Sequence, residues 1–150
     1  MNDRYLFRGK RVDNGEWVVG HYAQESNHTC FNPKTNHFIF KDVFLDWNLG
    51  GLEQYEIIPE TVGQCTGLKD KDSKLIFEGD IIECYSYYED IWGFSYTAEC
   101  YGVIVWNTNN YCWNIKTNDE LMPFNDYEWD ISMVVGNIHD NPELLEVEKR

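Results

Sequence analysis

Residues 68–85, LKDKDSKLIFEGDIIECY, carry the pattern that decides the predicted fold. A charged, turn-rich segment at 69–74 precedes the apolar residues 75–77, and an apolar strand resumes at residue 81. Between the two apolar runs, Gly79 supplies the backbone torsion of a tight corner. The Asp80 carboxylate can accept backbone N–H groups at this bend. The stretch therefore predicts a strand, a corner and a second strand.

Short β-branched and aromatic segments continue the pattern on both sides, separated by turn residues at roughly 8–15-residue spacing. The clearest turn is Asp13-Asn14-Gly15, because Asn-Gly accepts the positive φ values of a type I′ hairpin turn. The strands predict an all-β protein, either a sandwich or a barrel, and the part within 59–150 has enough strands for a small five-stranded barrel on which an N-terminal β unit at 1–58 packs. Asp140-Asn141-Pro142 has the residues that open a short C-terminal helix.

Composition and charge exclude several classes of protein. The 150 residues are 43% hydrophobic and 25% charged, which is typical of a folded globular chain. No apolar stretch approaches a membrane span, and the N-terminus lacks the apolar core of a signal peptide. The net charge is −14, and Lys116 is the only basic residue within 75–148. Direct nucleic-acid binding there is disfavoured, which leaves a solubilising acidic surface, a nucleic-acid mimic or a site for a basic partner.

The residues that could bind metal or perform catalysis form no complete motif. The five cysteines lack zinc-ligand spacing, and without a signal peptide we expect reduced thiols in the cytoplasm. Asp126, Glu128 and Asp130 alternate along the chain, which fits either a site for a hard cation or a solvated strand face. We therefore expect no cofactor and assign no catalytic residue.

The segment 85–101 is unusually aromatic for a stretch that reads as a loop or wide hairpin. We select Tyr87, Tyr88, Trp92 and Phe94 as a candidate interface, because one small barrel cannot enclose so many rings. The prediction is a homo-oligomer whose association strengthens with added salt, since the chains repel one another. A further protein partner is also possible.

Four segments resemble one known family. They are YLFRGKRV at 5–12 with WVVG at 17–20, TVGQCTGLKDKDSKLIFEGDII at 61–82, GVIVW at 102–106, and VGNIHDNPELL at 135–145. These strings are similar to those of the YopX family of phage and prophage proteins. The resemblance implies an SH3-like barrel at 59–150 and a phage or prophage protein in a bacterial cytoplasm. It implies no activity, and the matching residues Gly67, Gly79, Asp80, Gly136 and Pro142 are interpreted as structural corners.

Three functional hypotheses follow from these observations. The favoured hypothesis is a non-catalytic binding or assembly module, based on the small β fold and the aromatic segment. The second is an acidic inhibitor that mimics nucleic acid and blocks a host DNA-binding protein or nuclease. The third is a cation-dependent hydrolase, which depends on the density of carboxylates alone.

Overall fold

The computed structural model describes residues 3–27, 34–46, 49–89, 95–117, 121–124 and 132–146. Within these ranges the chain is mostly β, and the helical elements are short 3₁₀ turns. The strands are β1 (Phe7–Lys10), β2 (Trp17–Asn27), β3 (Lys34–Asp46), β4 (Leu49–Glu56), β5 (Gly63–Lys69), β6 (Leu75–Phe77), β7 (Asp80–Glu89), β8 (Ser95–Asn107), β9 (Cys112–Lys116), β10 (Leu121–Pro123) and β11 (Met133–Asn137). The 3₁₀ turns are Asp3–Tyr5, Pro59–Thr61 and Pro142–Leu145.

The chain folds as two compact units, Met1–Cys65 and Thr66–Arg150. In the first unit, β1 to β4 pair in sequence order as an antiparallel meander, and the start of β5 pairs with β1. Its core contains the buried Val18, Ile39 and Ile57, with partly buried aromatic residues around them. The predicted domain boundary between residues 58 and 59 stays a prediction.

The hairpin between β1 and β2 contains the Asn14-Gly15 turn, but its turn type differs from the prediction. Gly15 has a φ of 73°, whereas Asn14 is not among the residues with positive φ. The Arg11 N–H donates to the Glu16 carbonyl at 2.9 Å, and the Gly15 N–H donates to the Arg11 carbonyl at 3.0 Å. The predicted type I′ turn is therefore wrong. A longer loop closes the hairpin, and only its last residue needs the left-handed conformation.

The second unit contains an antiparallel sheet in the strand order β10-β9-β8-β7-β11. A core of buried aliphatic side chains combines four residues of this sheet, which are Ile82, Ile104, Ile115 and Val134, with Ile76 of β6. β6 neighbours the later part of β5, where the Thr66 hydroxyl donates to the Ile76 carbonyl at 2.9 Å. β-branched residues thus fill the positions that the pleated sheet turns toward its core.

The prediction of a mainly β fold is confirmed, but two finer features differ from it. Among the described residues, β10 and β11 are the two edge strands of the second unit's sheet and do not pair with each other. This sheet is therefore open, and no closed barrel is seen. The predicted C-terminal helix is only the 3₁₀ turn Pro142–Leu145. Asn141 makes no capping bond with its side chain, which instead lies against Gly136. Without that cap, little favours extension into an α-helix.

Candidate interaction surface

The corner between β6 and β7 is held by Gly79 and Asp80. Gly79 has a φ of 80°, its N–H donates to the Ile104 carbonyl at 2.9 Å, and its carbonyl accepts from the Ile138 N–H at 3.0 Å. The buried Asp80 carboxylate accepts the Phe77 N–H at 2.8 Å. These bonds tie the corner to β8 and to the turn after β11. Both residues therefore hold the backbone of the second unit.

The other residues selected as structural corners also lie at constrained backbone positions. Gly67 in β5 has a φ of 83°. A Cβ on Gly136 would lie 2.6 Å from the Asn141 Oδ1, so this position accepts only glycine without rearrangement. Pro142 is the first residue of the last 3₁₀ turn. None of these roles requires a ligand.

Asp70, which was not among the residues selected from the sequence, links the β5–β6 turn to β11. Its Oδ1 accepts the N–H groups of Asp72 and Lys74, both at 2.9 Å. Its Oδ2 accepts the Val134 N–H at 3.0 Å, and the residue is only 5% exposed. An aspartate that opens a charged turn is a recognised signal for local backbone capping. The bond to Val134 could not be found in this way, because it joins residues far apart in the sequence.

The hairpin of β8 and β9 presents an aromatic surface, which we call the tryptophan hairpin and define as Trp106, Tyr111 and Trp113. Trp106 and Trp113 are directly opposite in the β8–β9 register. Their ring centroids lie 5.0 Å apart at an interplanar angle of 71°. This edge-to-face geometry is favourable for aromatic pairs. Trp113 packs against the core of the second unit, whereas Trp106 is 43% exposed.

The turn of this hairpin holds Tyr111 in an unusual position. The Asn107 Oδ1 accepts the Asn109 N–H at 2.9 Å, which orders the start of the turn. Tyr111 has a φ of 54° and is 77% exposed. A left-handed backbone costs a residue with a side chain about 1–2 kcal/mol relative to the right-handed form. The fold thus displays an aromatic ring where glycine would be more stable.

The surroundings of the tryptophan hairpin determine what it can contact. The Phe124 N–H donates to the Trp113 carbonyl at 2.9 Å, which fixes the hairpin against the following chain. Lys116, on β9, is the only basic residue of the segment 75–148. Exposed indole and phenol groups offer apolar faces and hydrogen-bonding groups together. The tryptophan hairpin thus combines apolar faces and hydrogen-bonding groups within a strongly acidic segment of the sequence.

Comparison with known proteins identifies the family. The profile of the YopX protein family matches residues 6–146, nearly the whole chain. The chain belongs to the YopX family. The chain is also similar to the crystal structure of protein EF1440 from Enterococcus faecalis, with 24% sequence identity and a TM-score of 0.46. That alignment covers 93% of this chain and 96% of the other. No curated protein matches the chain.

The structure places only part of the predicted interface of this YopX chain. Tyr87 and Tyr88 occupy successive positions of β7, opposite Thr97 and Tyr96 of β8. Their side chains lie outside the described part of the chain, as do the residues Trp92 and Phe94. The predicted contact through these four residues stays a prediction.

The possible cation site of this YopX chain falls outside the described residues as well. Asp126, Glu128 and Asp130 all lie in the range 125–131, which the structure does not describe. In the described ranges, no three His, Cys, Asp or Glu side chains are grouped to hold a metal ion. Those ranges also contain no helix that is both long and apolar enough to cross a membrane.

The first unit of this YopX chain has a charged cluster at its β1–β2 hairpin. The Arg11 guanidinium donates to both carboxylate oxygens of Asp13, at 2.9 and 2.5 Å, and lies 4.4 Å from the centre of the Tyr55 ring. The hydrogen bond from Arg11 lowers the pKa of Asp13 and raises the pKa of Arg11. A hydrogen bond to Glu53 raises the pKa of Tyr55. All three groups are solvent-accessible, so we interpret the cluster as local support for the hairpin.

The tryptophan hairpin was not selected from the sequence, although a signal for it exists. Trp106 and Trp113 lie at equal distances from the four-residue turn at 108–111, so antiparallel pairing places them opposite each other, whereas a turn limited to Thr-Asn-Asn at 108–110 would place Trp106 opposite Cys112. The exposure of Trp106 depends on where the buried part of the sheet ends. That boundary is a tertiary property and was not visible in the strand pattern.

Proposed function

We propose that this YopX protein is a non-catalytic binding or assembly module that holds a protein partner with its tryptophan hairpin. The observation that supports the proposal is the combination of an exposed Trp106 edge-to-face with Trp113 and a highly exposed Tyr111 in a left-handed conformation. Tryptophan and tyrosine dominate the energetic centres of protein interfaces. Strained backbone also occurs preferentially at sites that bind or switch.

The rigidity of the surface favours binding as well. Trp113 packs against the buried core, and Trp106 packs against Trp113, so the exposed ring is held by an ordered neighbour. A preformed aromatic surface loses little conformational entropy when a partner covers it. The acidic character of 75–148 directs the choice toward a partner that is neutral or basic.

Measuring stability and partner binding separately for the same variants tests this proposal. Tyr111→Gly removes the ring and relieves the left-handed strain, so we expect an equal or higher urea midpoint and weaker partner binding. Lysate of a bacterial host is passed over four immobilised proteins, which are wild type, Tyr111→Gly, Trp106→Thr and the control Tyr5→Ser. Tyr5 is an exposed aromatic residue of the first unit.

The same protein band should be retained by wild type and Tyr5→Ser, and reduced by at least about tenfold for the two hairpin variants, a loss of ~1.4 kcal/mol. Equal retention by all four proteins would exclude the tryptophan hairpin as the binding surface. Loss of the band with Tyr5→Ser as well would show that the effect is not specific to the hairpin.

A nucleic-acid mimic is the second candidate, and the acidic charge favours it. Fifteen acidic residues accompany the single Lys116 in 75–148. A mimic should retain a basic DNA-binding protein or nuclease at low salt and release it at high salt. Retention through the tryptophan hairpin should depend much less on salt, because apolar burial is not screened. The same capture experiment, repeated at two salt concentrations, separates the two candidates.

A cation-dependent hydrolase is the remaining alternative, with Asp126, Glu128 and Asp130 as its suggested ligands. Calorimetric titration with calcium, magnesium and manganese tests it directly. Heat of binding that disappears in a triple Asn/Gln variant would support the hydrolase. No binding at millimolar metal would remove its basis.

The finer structural and cellular proposals have support from sequence only. We propose an SH3-like arrangement within residues 59–150, and expression from a phage or prophage in a bacterial cytoplasm. Cys65 and Cys112, the cysteines whose side chains the structure describes, are in no disulfide there, which is compatible with a reducing compartment. We also propose self-association through Tyr87, Tyr88, Trp92 and Phe94. Replacing all four by serine should shift sedimentation toward the monomer.

A further inference from the structure

The edge strands of the sheets differ in how well they are protected against pairing. β6 and β10 have three residues each, and β10 ends in Pro123. β11 has five residues and an irregular register between Val134 and Gly136. β4 has eight residues, and its charged residues, Glu53 and Glu56, lie in its second half, so the part at 49–52 carries neither proline nor charge. Its register shift against β3 lies at the start of the strand, between residues 49 and 50. Because natural sheets shorten, bulge or charge their free edges, the long β4 edge suggests a surface that is covered in the assembled protein.

The hydrogen-bond pattern shows which groups of β4 face outward. The Ile57 N–H donates to the His37 carbonyl at 2.9 Å. Antiparallel pairs alternate between bonded and non-bonded positions, so residues 51, 53 and 55 bond to β3. The backbone groups of 50, 52 and 54 therefore point away from it. At the far end, the Glu56 carbonyl accepts the Val12 N–H at 2.9 Å, which closes that part of the edge.

We propose that β4 pairs antiparallel with β4 of a second copy, across a two-fold axis at Leu52. In this register Leu52 faces Leu52 of the second copy, and Gly50 faces Gln54. Each of these outward-facing pairs can exchange both backbone hydrogen bonds. Leu52 is 66% exposed in the single chain, and its side chain would be covered by its counterpart.

Charge disfavours the neighbouring register with its axis at Glu53, and side-chain contact favours Leu52 over Gly51, because an axis at Gly51 would leave Leu52 opposite Gly50. Pairing at Leu52 places Glu53 opposite Gly51, so no carboxylate faces another carboxylate. A two-fold axis at Glu53 would set two glutamates directly opposite, which is destabilising. An axis at Gln54 would oppose Leu52 to Glu56, whose carbonyl already bonds to Val12. The two-fold at Leu52 also makes the contact isologous, so it closes as a dimer.

A cysteine cross-link tests the register. In the proposed pair the two Leu52 Cα atoms lie ~5.5 Å apart, as in any hydrogen-bonded antiparallel pair. That distance lies within the ~4.4–6.8 Å range of disulfides. Leu52→Cys should therefore form a covalent dimer with a thiol oxidant. The matched control is Gln54→Cys, whose two copies would be ~14 Å apart along the strands and should not cross-link.

Wild type is oxidised in parallel, because the chain has five cysteines of its own. We expect Leu52→Cys to give at least about tenfold more reducible dimer than Gln54→Cys or wild type, a ratio that corresponds to ~1.4 kcal/mol. Equal cross-linking of Leu52→Cys and Gln54→Cys would overturn the proposal. A peptide or another protein on β4 would also give no dimer of Leu52→Cys.

Sedimentation velocity of two further variants tests the hydrogen bonds themselves. Leu52→Pro removes an outward N–H, which an edge strand tolerates, and should weaken dimerisation by at least about tenfold. Leu52→Thr keeps the N–H and should remain closer to wild type. Each copy carries a charge of −14, so dimerisation should be stronger at about 0.5 M than at about 0.05 M salt.

A monomeric wild type at both salt concentrations would refute the dimer. An unchanged dimer with Leu52→Pro would show that the contact lies elsewhere. If Leu52→Pro unfolds by circular dichroism, Leu52→Lys replaces it, since two lysines opposite each other oppose pairing.

Discussion

Asp70→Ala should destabilise the second unit strongly, because one carboxylate supports three backbone N–H groups. The Val134 N–H is buried and has the Asp70 Oδ2 at 3.0 Å as its acceptor. Leaving such a group without an acceptor costs about 1–3 kcal/mol. The N–H groups of Asp72 and Lys74 belong to exposed residues, where water can replace the carboxylate at a cost of about 0.5 kcal/mol each. The expected total is about 2–4 kcal/mol.

Urea unfolding followed by tryptophan fluorescence measures this loss, since Trp106 and Trp113 report on the second unit. With a slope of about 2 kcal/mol per molar urea, the midpoint should fall by about 1–2 M. Asp72→Ala is the matched control, because Asp72 is an exposed neighbour in the same turn. It should change stability by no more than about 0.5 kcal/mol. The loss of stability in Asp70→Asn should lie between those of Asp70→Ala and Asp72→Ala. Equal midpoints for Asp70→Ala and Asp72→Ala would refute the role of the buried carboxylate.

Three other variants test separate features of the fold. Gly79→Val should lower the free energy of unfolding, measured by urea denaturation, by about 2 kcal/mol or more, whereas Gly79→Asn should lower it less, because asparagine tolerates positive φ; equal effects would contradict the left-handed corner. Gly102→Ala would place a Cβ against the Ile115 Cγ2 and should cost about 1–3 kcal/mol by thermal unfolding, and an unchanged stability would contradict this close contact. Arg11→Gln should raise the pKa of Asp13 toward its ordinary value in an NMR titration, since the two guanidinium donors are removed. The stability that this pairing contributes is present above the unfolded-state pKa of Asp13 and is lost as the pH falls through its lower folded-state pKa, so Arg11→Gln should flatten the acid limb of the stability curve. An unshifted titration of Asp13 would show that the pair does not form in solution.

The local part of the fold could be predicted from the sequence. The strand and corner pattern around Gly79 depends on short-range chemistry, because a glycine torsion and apolar alternation act within a few residues. The β1–β2 hairpin was placed correctly for the same reason. Its turn type was not, because the Asn14 side chain bonds to the Glu16 backbone and side chain in a longer loop.

The remaining features depend on contacts between distant residues. The bond from Val134 to Asp70 and the position of Trp106 at the limit of the buried face cannot be derived from local patterns. The C-terminal helix was expected from the Asn-Pro pair, which is a sound local signal. It ends as a single 3₁₀ turn because the Asn141 side chain is placed against Gly136.

The position of β11 also has a consequence for how the chain is made. β7 needs both β8 and β11 as neighbours, but β11 is synthesised about 50 residues after β7, which takes about 3–10 s at ribosomal rates of about 5–20 residues per second. During this interval one edge of β7 has no partner strand, and the Asp70 carboxylate cannot yet accept the Val134 N–H. The nascent second unit therefore exposes an unpaired strand edge, and chains with such edges aggregate or bind chaperones. Slow codons between β9 and β11 should lower the soluble yield more than slow codons placed before β7.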